Sequence, residues 1–376
     1  MARQVEIRQA RPDERQAVLD VANASFGRPD KPFDFARLLP YCFTPQRMPD
    51  HWLYVEDGRI LGVVGAYPFT VRLNGVAFRT IGVGQVCTLP EVRGRGIMSE
   101  LLKVVTARMD QACDFAWLWG DRRRYGRYGW AVGGVTTVFE ANEKYLPEPP
   151  PAEEVRRLDK QADADRMYRA AIAQPYAVDY TREEFDLLLE ASEVSGWTWR
   201  DAWAICRPFP RVVAADGPED QVAALLSHLV RIGKQKDPPQ EKVIFEAGPF
   251  DSVLMRVAKS HYAQVTRRPS ASFRVCNLLG YFIKAAQAVR QVPAGQASLS
   301  LRNTDNGQTV RLSCRDGRYI VDADIDANVV AASTAELSEA LFGPLPLETT
   351  LPAVAPDSPL RPLLSLPIHI SYLWTL

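Results

Sequence analysis

Residues 51–89 read as strand-like segments broken by Asp57-Gly58 and Asn74-Gly75, the strongest kind of short hairpin signal. The pattern predicts an antiparallel meander of about three or four strands. The meander runs without a crossover into "CTLPEVRGRGIMSELL", residues 87–102. There a strand-like stretch breaks at Pro90, passes Gly94 and Gly96, and becomes a helix over 97–110. Ile97, Met98, Leu101, Leu102, Val105 and Met109 fall on one stripe of that helix. This succession excludes two common phosphate-binding folds. The glycines have neither the Gly-x-x-x-x-Gly-Lys-Ser/Thr spacing of a P-loop nor the Gly-x-Gly-x-x-Gly of a dinucleotide site. Both of those folds also need parallel crossovers.

A strand, a glycine bend and a helix start together make an anion site, because first-turn N–H groups are unpaired and the helix dipole adds positive charge. Gly94 and Gly96 lack the Cβ atoms that would hold a phosphate away, and Arg93 and Arg95 can add charge-assisted hydrogen bonds. The same residues also suit a plain strand–helix connection whose glycines only make the turn. The loop alone does not choose between the two.

The rest of the chain narrows the class. Lys+Arg and Asp+Glu both number 45, which gives no electrostatic case for a nucleic-acid binder or a polybasic membrane anchor. The charged start has no apolar core, so no secretory signal is expected. No apolar run approaches the roughly 20 residues of a membrane span. The six cysteines are scattered and form no C-x-x-C pair, as expected for reduced thiols in a cytoplasmic protein. His51, His228, His261 and His369 lack metal-ligand spacing, so no metal site is expected. "LPEPPPAEE" (146–154) marks a connector between domains. Beyond it come helices near 162–173 and 182–191, further strands, and a helix over 250–261. From about residue 269 the pattern changes again, to "ASFRVCN", a helix, and three strands joined by Asn-Gly and Asp-Gly turns.

"LPEVRGRGIMSELL" resembles the acetyl-CoA loop of the GNAT N-acetyltransferase superfamily, Arg/Gln-x-x-Gly-x-Gly/Ala, with Met98 in place of the usual small residue. "LWGDRRRYGRYGW" (118–130) resembles a segment of the enhanced-intracellular-survival (Eis) type acetyltransferases, as do "ANASFG", "FRVCN" and "VDADIDANVVAASTAELSEALFG". The resemblance implies an α+β chain: two tandem GNAT-like α/β domains with mixed, largely antiparallel sheets, then a sterol-carrier-protein-like α/β domain. The implied boundaries are 1–146 for the acetyltransferase domain, 147–267 for a degenerate copy without the glycine loop, and 268–376 for the third domain with its tail reaching the active site.

It further implies an N-acetyltransferase with acetyl-CoA as co-substrate and no metal. Arg93, Gly94, Arg95, Gly96, Ile97 and Met98 would wrap the CoA pyrophosphate. Val86, Cys87 and Thr88 would pair their backbone with the pantetheine arm as an added strand would. Tyr125 would be the general acid, since a phenol (pKa ≈ 10) can protonate a departing thiolate. Otherwise it is a tyrosine packed in a turn, and Tyr128 is its neighbouring decoy. The base would be the C-terminal carboxylate of Leu376, unless the tail merely completes a sheet edge. An oxyanion donor is expected from a backbone N–H near Val86. Cys87 as a covalent nucleophile is disfavoured, because no histidine adjoins it.

Phe26, Trp117 and Trp119 would line the acceptor pocket. Arg122, Arg123 and Arg124 would repel a polycation if they faced it, and Gly120 stands where the family has serine. The partners implied are a small-molecule or peptide amine, no nucleic acid, no membrane, and further copies of the chain in a homo-oligomer, with a hexamer as the candidate. The competing reading is a lipid- or small-ligand-binding protein with an inactive GNAT site.

Overall fold

The computed structural model of the chain describes residues 3–28 and 30–374. The expected meander is present with three strands: β2 (His51–Glu56), β3 (Arg59–Leu73) and β4 (Val76–Thr88), with β1 (Val5–Gln9) beside β2. Both of its turns carry positive φ at each central residue, 49° and 80° at Asp57-Gly58 and 51° and 85° at Asn74-Gly75. That geometry matches the twist of the flanking strands and explains the dipeptides found there. Helix α1 (Arg15–Phe26) buries Val18, Leu19 and Ala22 and packs on β3 and β4. A single-turn helix α2 (Phe35–Leu38) follows it, capped by the Asp34 side chain. Helix α3 (Ile97–Ala112) buries Ile97, Leu101, Leu102, Val105 and Met109, most of the predicted stripe, with Met98 half-buried. β5 (Phe115–Leu118) then pairs parallel with β4.

Past β5 the sheets do not follow the linear order of the segments. A short helix α4 (Arg122–Tyr125) leads to β6 (Ala131–Gly133), yet β5 and β6 never meet. The strand Ala271–Val275 lies between them, antiparallel to both and buried along its whole length. The strand Tyr176–Val178 pairs with the far end of β3, completing an eight-stranded sheet. β7 (Thr136–Ala141), expected in the first domain, instead sits in a seven-stranded second sheet between Val243–Ala247 and Gln264–Arg268. Gly134 marks the passage from one sheet to the other. Its φ is +67°, and a Cβ there would lie 2.3 Å from Ser270 Oγ and 2.9 Å from the Ile368 carbonyl oxygen. Only glycine fits such a crossing.

The C-terminal strands Ala297–Asn303, Thr309–Arg315 and Arg318–Asp322 form the expected meander, joined by Val329–Ala332 in a four-stranded sheet. The helix Leu278–Ala288 packs on this sheet and buries Tyr281, Phe282 and Ala285. The helix Thr334–Phe342 turns the other way, onto Ala271–Val275 and β6. Its Phe342 ring lies 5.2–5.7 Å from the rings of Phe273, Tyr281 and Phe115, so one aromatic cluster ties the C-terminal segment to the first sheet. The whole is mixed α/β. Among the described residues no helix is long and apolar enough to cross a membrane.

Candidate active site

The site begins where two strands part. β4 pairs with β5 only over Thr80–Val83. From Gly84 to Thr88 it keeps β3 on one side, and among the described residues no strand covers the other. The register with β3 also slips here, from Gly65↔Gly84 to Val63↔Cys87, so Gln85 and Val86 together face Val64. This is a β-bulge, and Gln85 takes a left-handed φ of +47° in it. The bulge and the parting leave backbone groups of 84–88 for another partner.

That open edge leads into a cavity of about 570 Å³ at the start of α3. Val86, Cys87, Thr88, Arg93, Gly94, Arg95, Gly96, Ile97 and Met98 all line it, together with Phe26 and Arg124. Gly94 and Gly96 both have φ of +84°, and nothing lies within 4 Å of where their Cβ atoms would be. The glycines therefore serve twice: they allow a left-handed backbone, and they leave the space before the amides open. Gly96 caps α3, so the N–H groups of Ile97 and Met98 belong to the first turn, where no earlier carbonyl reaches them. Donors and dipole suit a phosphate, and the unpaired strand edge suits an extended amide chain; both fit acetyl-CoA. The two loop arginines have protein partners. Arg93 Nη2 donates to the Ser25 carbonyl oxygen at 2.8 Å, fastening the loop to the end of α1, and Arg95 pairs with Glu56.

A second cavity of about 330 Å³ adjoins the first, and Phe26, Val86 and Arg124 line both. Tyr125, Trp119, Gln85, Glu193 and Arg207 line the second cavity, with an apolar wall of Phe33, Phe35 and Leu39. Tyr125 is buried; burial pushes its phenol pKa up, and the Arg124 charge and hydrogen bond pull the other way. Its ring meets Trp130 edge-on, with centroids 6.2 Å apart. The missing serine at 120 has a physical reason, since a Cβ there would lie 2.2 Å from Tyr125 Cε2. The neighbouring Tyr128 is committed elsewhere, its hydroxyl donating to Ser99 Oγ at 2.9 Å. Arg122, Arg123 and Arg124 are all exposed, and of the three only Arg124 lines these two cavities.

Trp117, expected in the acceptor pocket, lies instead in the core with no exposed surface, packed edge-on against Trp119 at 5.2 Å. β5 is an interior strand covered on both faces, so all four of its residues are buried, while Trp119 comes after its end. Trp119 keeps its place by donating from Nε1 to the Ser270 carbonyl oxygen at 2.7 Å. Cys87 lines the first cavity, but burial pushes its thiol up to about 12, which removes the thiolate a nucleophile needs.

Two groups lining the second cavity carried no sequence signal. Gln85 sits on the bulge, its side-chain amide joined to the Tyr67 hydroxyl, which also meets His51 Nε2 at 2.8 Å. His51 Nδ1 in turn faces the Arg47 carbonyl oxygen at 3.2 Å, and burial lowers the imidazole to about 4. Arg207 arrives from the second sheet, after the strand Ala202–Cys206. Leu376 lies outside the described residues, but the tail before it can be followed. The Val135 amide donates to the Ile368 carbonyl oxygen at 2.9 Å, Arg207 Nη1 donates to that of Leu373 at 2.6 Å, and Trp374 packs near Tyr176 and Tyr180. Among the described residues no cluster of His, Cys, Asp or Glu is arranged to hold a metal ion.

Comparison with known proteins agrees with this geometry. Residues 6–133 match the sequence model of the acetyltransferase (GNAT) domain. No curated protein matches the chain. Among solved structures, a GCN5-related N-acetyltransferase from Kribbella flavida is similar along the whole length: TM-score 0.69, 18% identity, covering 100% of this chain and 99% of that one. A GCN5-related N-acetyltransferase from Anabaena variabilis gives 0.66 at 14% identity, covering 98% of each chain. Eis1 from Mycobacterium abscessus gives 0.64 at 15%, covering 97% and 98%. These likenesses show a shared fold over the full chain. With the GNAT domain at its N-terminus, the protein is an acyltransferase.

Proposed function

We propose that this acyltransferase moves the acetyl group of acetyl-CoA to a primary amine by direct attack. The observation that carries the reading is the junction of the two cavities, which share Phe26, Val86 and Arg124 beside the Tyr125 ring. The first cavity offers helix-start amides and a free strand edge for CoA; the second offers an apolar wall for the acceptor. Bound acetyl-CoA supplies a thioester. The amine nitrogen forms a bond to its carbonyl carbon, the carbon–sulfur bond breaks, and the electron pair leaves on sulfur. Tyr125, kept protonated by burial, gives its proton to that sulfur. A backbone N–H at the Gln85–Val86 bulge faces the charge that develops on the carbonyl oxygen.

The base in this reading is the Leu376 carboxylate. Its support is the course of the tail: Leu373 is held by Arg207, which itself lines the acceptor cavity. Catalysis is assigned to residues 1–146, with 147–267 as a copy lacking the glycine loop and 268–376 as the segment that delivers the tail. Against a lipid carrier stands the helix Leu278–Ala288, whose Tyr281 and Phe282 are fully buried, Tyr281 against Phe78, Phe115 and Phe342, which leaves no open space for a lipid there. An acetyl-CoA consumption assay over a panel of amines, paired with acetyl-CoA calorimetry, tests the reading. Binding without turnover of any amine would count against catalysis, and no binding would count against the site.

A further inference from the structure

The apolar wall of the second cavity is built before any ligand arrives. Phe33 and Phe35 pack with ring centroids 4.6 Å apart, and Phe26 meets Phe35 edge-on at 5.1 Å and Phe33 at 5.8 Å. Phe35 is buried and packs on Phe43 at 5.9 Å, which anchors the cluster in the core. In front of it Phe33, Leu38 and Trp119 are only half-buried, and Phe26 keeps 45% of its surface exposed at the mouth shared with the CoA side. Rings held this way lose little freedom when a ligand covers them, and the surface they give up is apolar. The volume, about 330 Å³, sets the size. A cavity of about 150 Å³ takes one benzene ring, so a ring and a short arm fit here together.

The charges of the lining disfavour a polycation. Arg124 stands exposed where the two cavities meet, and Arg207 lies behind the wall with no exposed surface. Against them the lining sets two exposed acids, Asp121 and Glu193, so the formal charges cancel. Asp121 is already committed, accepting the backbone amides of Arg123 and Arg124 at 2.7 and 3.2 Å.

Resting on the acetyltransferase reading above, we infer that the acceptor is an arylalkylamine, with one aromatic ring, a short arm and a single amine. The ring lies against Phe33, Leu38 and Trp119, and the amine reaches the Tyr125 end, where the cavity joins the CoA side. The Arg124 charge at that junction favours the neutral amine, the form that attacks a thioester. Phe33 is a specificity-determining residue, since it lines this cavity and not that of CoA. A second ammonium on the acceptor is rejected, because it would give up water in a lining with no net negative charge.

The test compares 2-phenylethylamine with ethylamine, which lacks the ring, and 4-methylbenzylamine with 1,4-bis(aminomethyl)benzene, which adds a second amine. Each is titrated by calorimetry into the full-length protein, with and without saturating CoA. The ring is expected to tighten binding by about 10- to 100-fold, the range for burying an aromatic side chain, and the diamine to bind more weakly than the monoamine. Phe33→Ala should cut the ring preference by about 3- to 10-fold and leave CoA affinity unchanged. If Phe33→Ala does not fold, competition on the wild-type protein decides: 2-phenylethanol should displace 2-phenylethylamine and ethanol should not. Equal affinity of 2-phenylethylamine and ethylamine, a ring preference undiminished in Phe33→Ala, or tighter binding of the diamine overturns the inference. Failure of CoA itself to bind overturns the acetyltransferase reading instead, and the titrations without CoA still read the ring preference.

Discussion

Gly120 and the ring of Tyr125 fill one another's space: a side chain on residue 120 would have to occupy the position of Tyr125 Cε2 and Cδ2, 2.2 and 2.8 Å from its Cβ. Position 120 therefore sets where the phenol stands. Gly120→Ser should displace the ring and lower kcat by about 10-fold or more, because a small misplacement of a catalytic group is costly. Acetyl-CoA affinity should stay within about 2-fold, as Gly120 does not line the loop cavity. Steady-state kinetics beside acetyl-CoA calorimetry separates the two effects.

Tyr125→Phe keeps the packing against Trp130 and removes only the proton. On the proposed mechanism kcat falls by about 10²–10⁴-fold while the KM for acetyl-CoA changes little. Tyr128→Phe loses a hydrogen bond to Ser99 and should leave kcat nearly unchanged. Because burial raises the Tyr125 pKa, its protonated form persists to higher pH than an ordinary phenol, so the alkaline limb of the kcat profile lies above about 10. If Tyr128→Phe is the more damaged variant, the acid has been misassigned.

The loop glycine can be tested in two steps. Gly96→Ala forces a Cβ onto a left-handed backbone at a position with open space, which costs about 1–2 kcal/mol in conformation alone. Gly96→Asp adds a carboxylate before the helix-start amides and should abolish acetyl-CoA binding altogether. Circular dichroism checks the fold, and wild-type cofactor affinity in Gly96→Asp would show that the loop does not bind the pyrophosphate.

Stability should fall in mild acid. His51 and His369 are buried and lowered to about 4, chiefly by desolvation, whereas an unfolded chain protonates histidine near 6.5. Their contribution is complete above 6.5 and is lost as pH falls from there toward 4, since only the unfolded state takes up the protons in that window. The slope is at most about 1.4 kcal/mol per pH unit for each histidine. Tm measured at pH 7.5 and pH 5 should drop, and His51→Asn should reduce the drop. A Tm independent of pH across that range would refute the assignment.

For the base, two glycines added after Leu376 would carry the terminal charge up to about 7 Å away while every side chain stays in place. Activity should collapse with acetyl-CoA binding intact, and deletion of Leu376 should act likewise. Full activity in the extended protein would transfer the role to a water or to an amine that arrives neutral.

The loop and the meander were legible because both are local. Asp57-Gly58, Asn74-Gly75 and the spacing of Gly94 and Gly96 encode backbone geometry within a few residues. The stripe of α3 was legible for the same reason. The segment Ala271–Val275 was visible only as the lead-in to a helix, and not as a strand beside β5, because nothing local records which sheet a segment joins. Arg207 illustrates the other limit. Its role depends on burial and on what surrounds it, and an arginine after a strand ordinarily reads as surface. Gln85 was hidden by its bulge, which shows only when β3 and β4 are set in register.

The strand Ala271–Val275 also sets a timetable for synthesis. Until it leaves the ribosome, β5 and β6 each present an unpaired edge, and the turn bearing Tyr125 lacks the support of Arg274, which donates from Nε to the Tyr128 carbonyl oxygen at 2.9 Å. At about 5–20 residues per second, translation from β6 to that strand leaves the first sheet open for on the order of ten seconds or more. The nascent chain must be kept from pairing those edges with a neighbour's during that interval. A fragment cut before residue 271 would keep both edges open, so residues 1–146 on their own would lack the strand that completes their sheet.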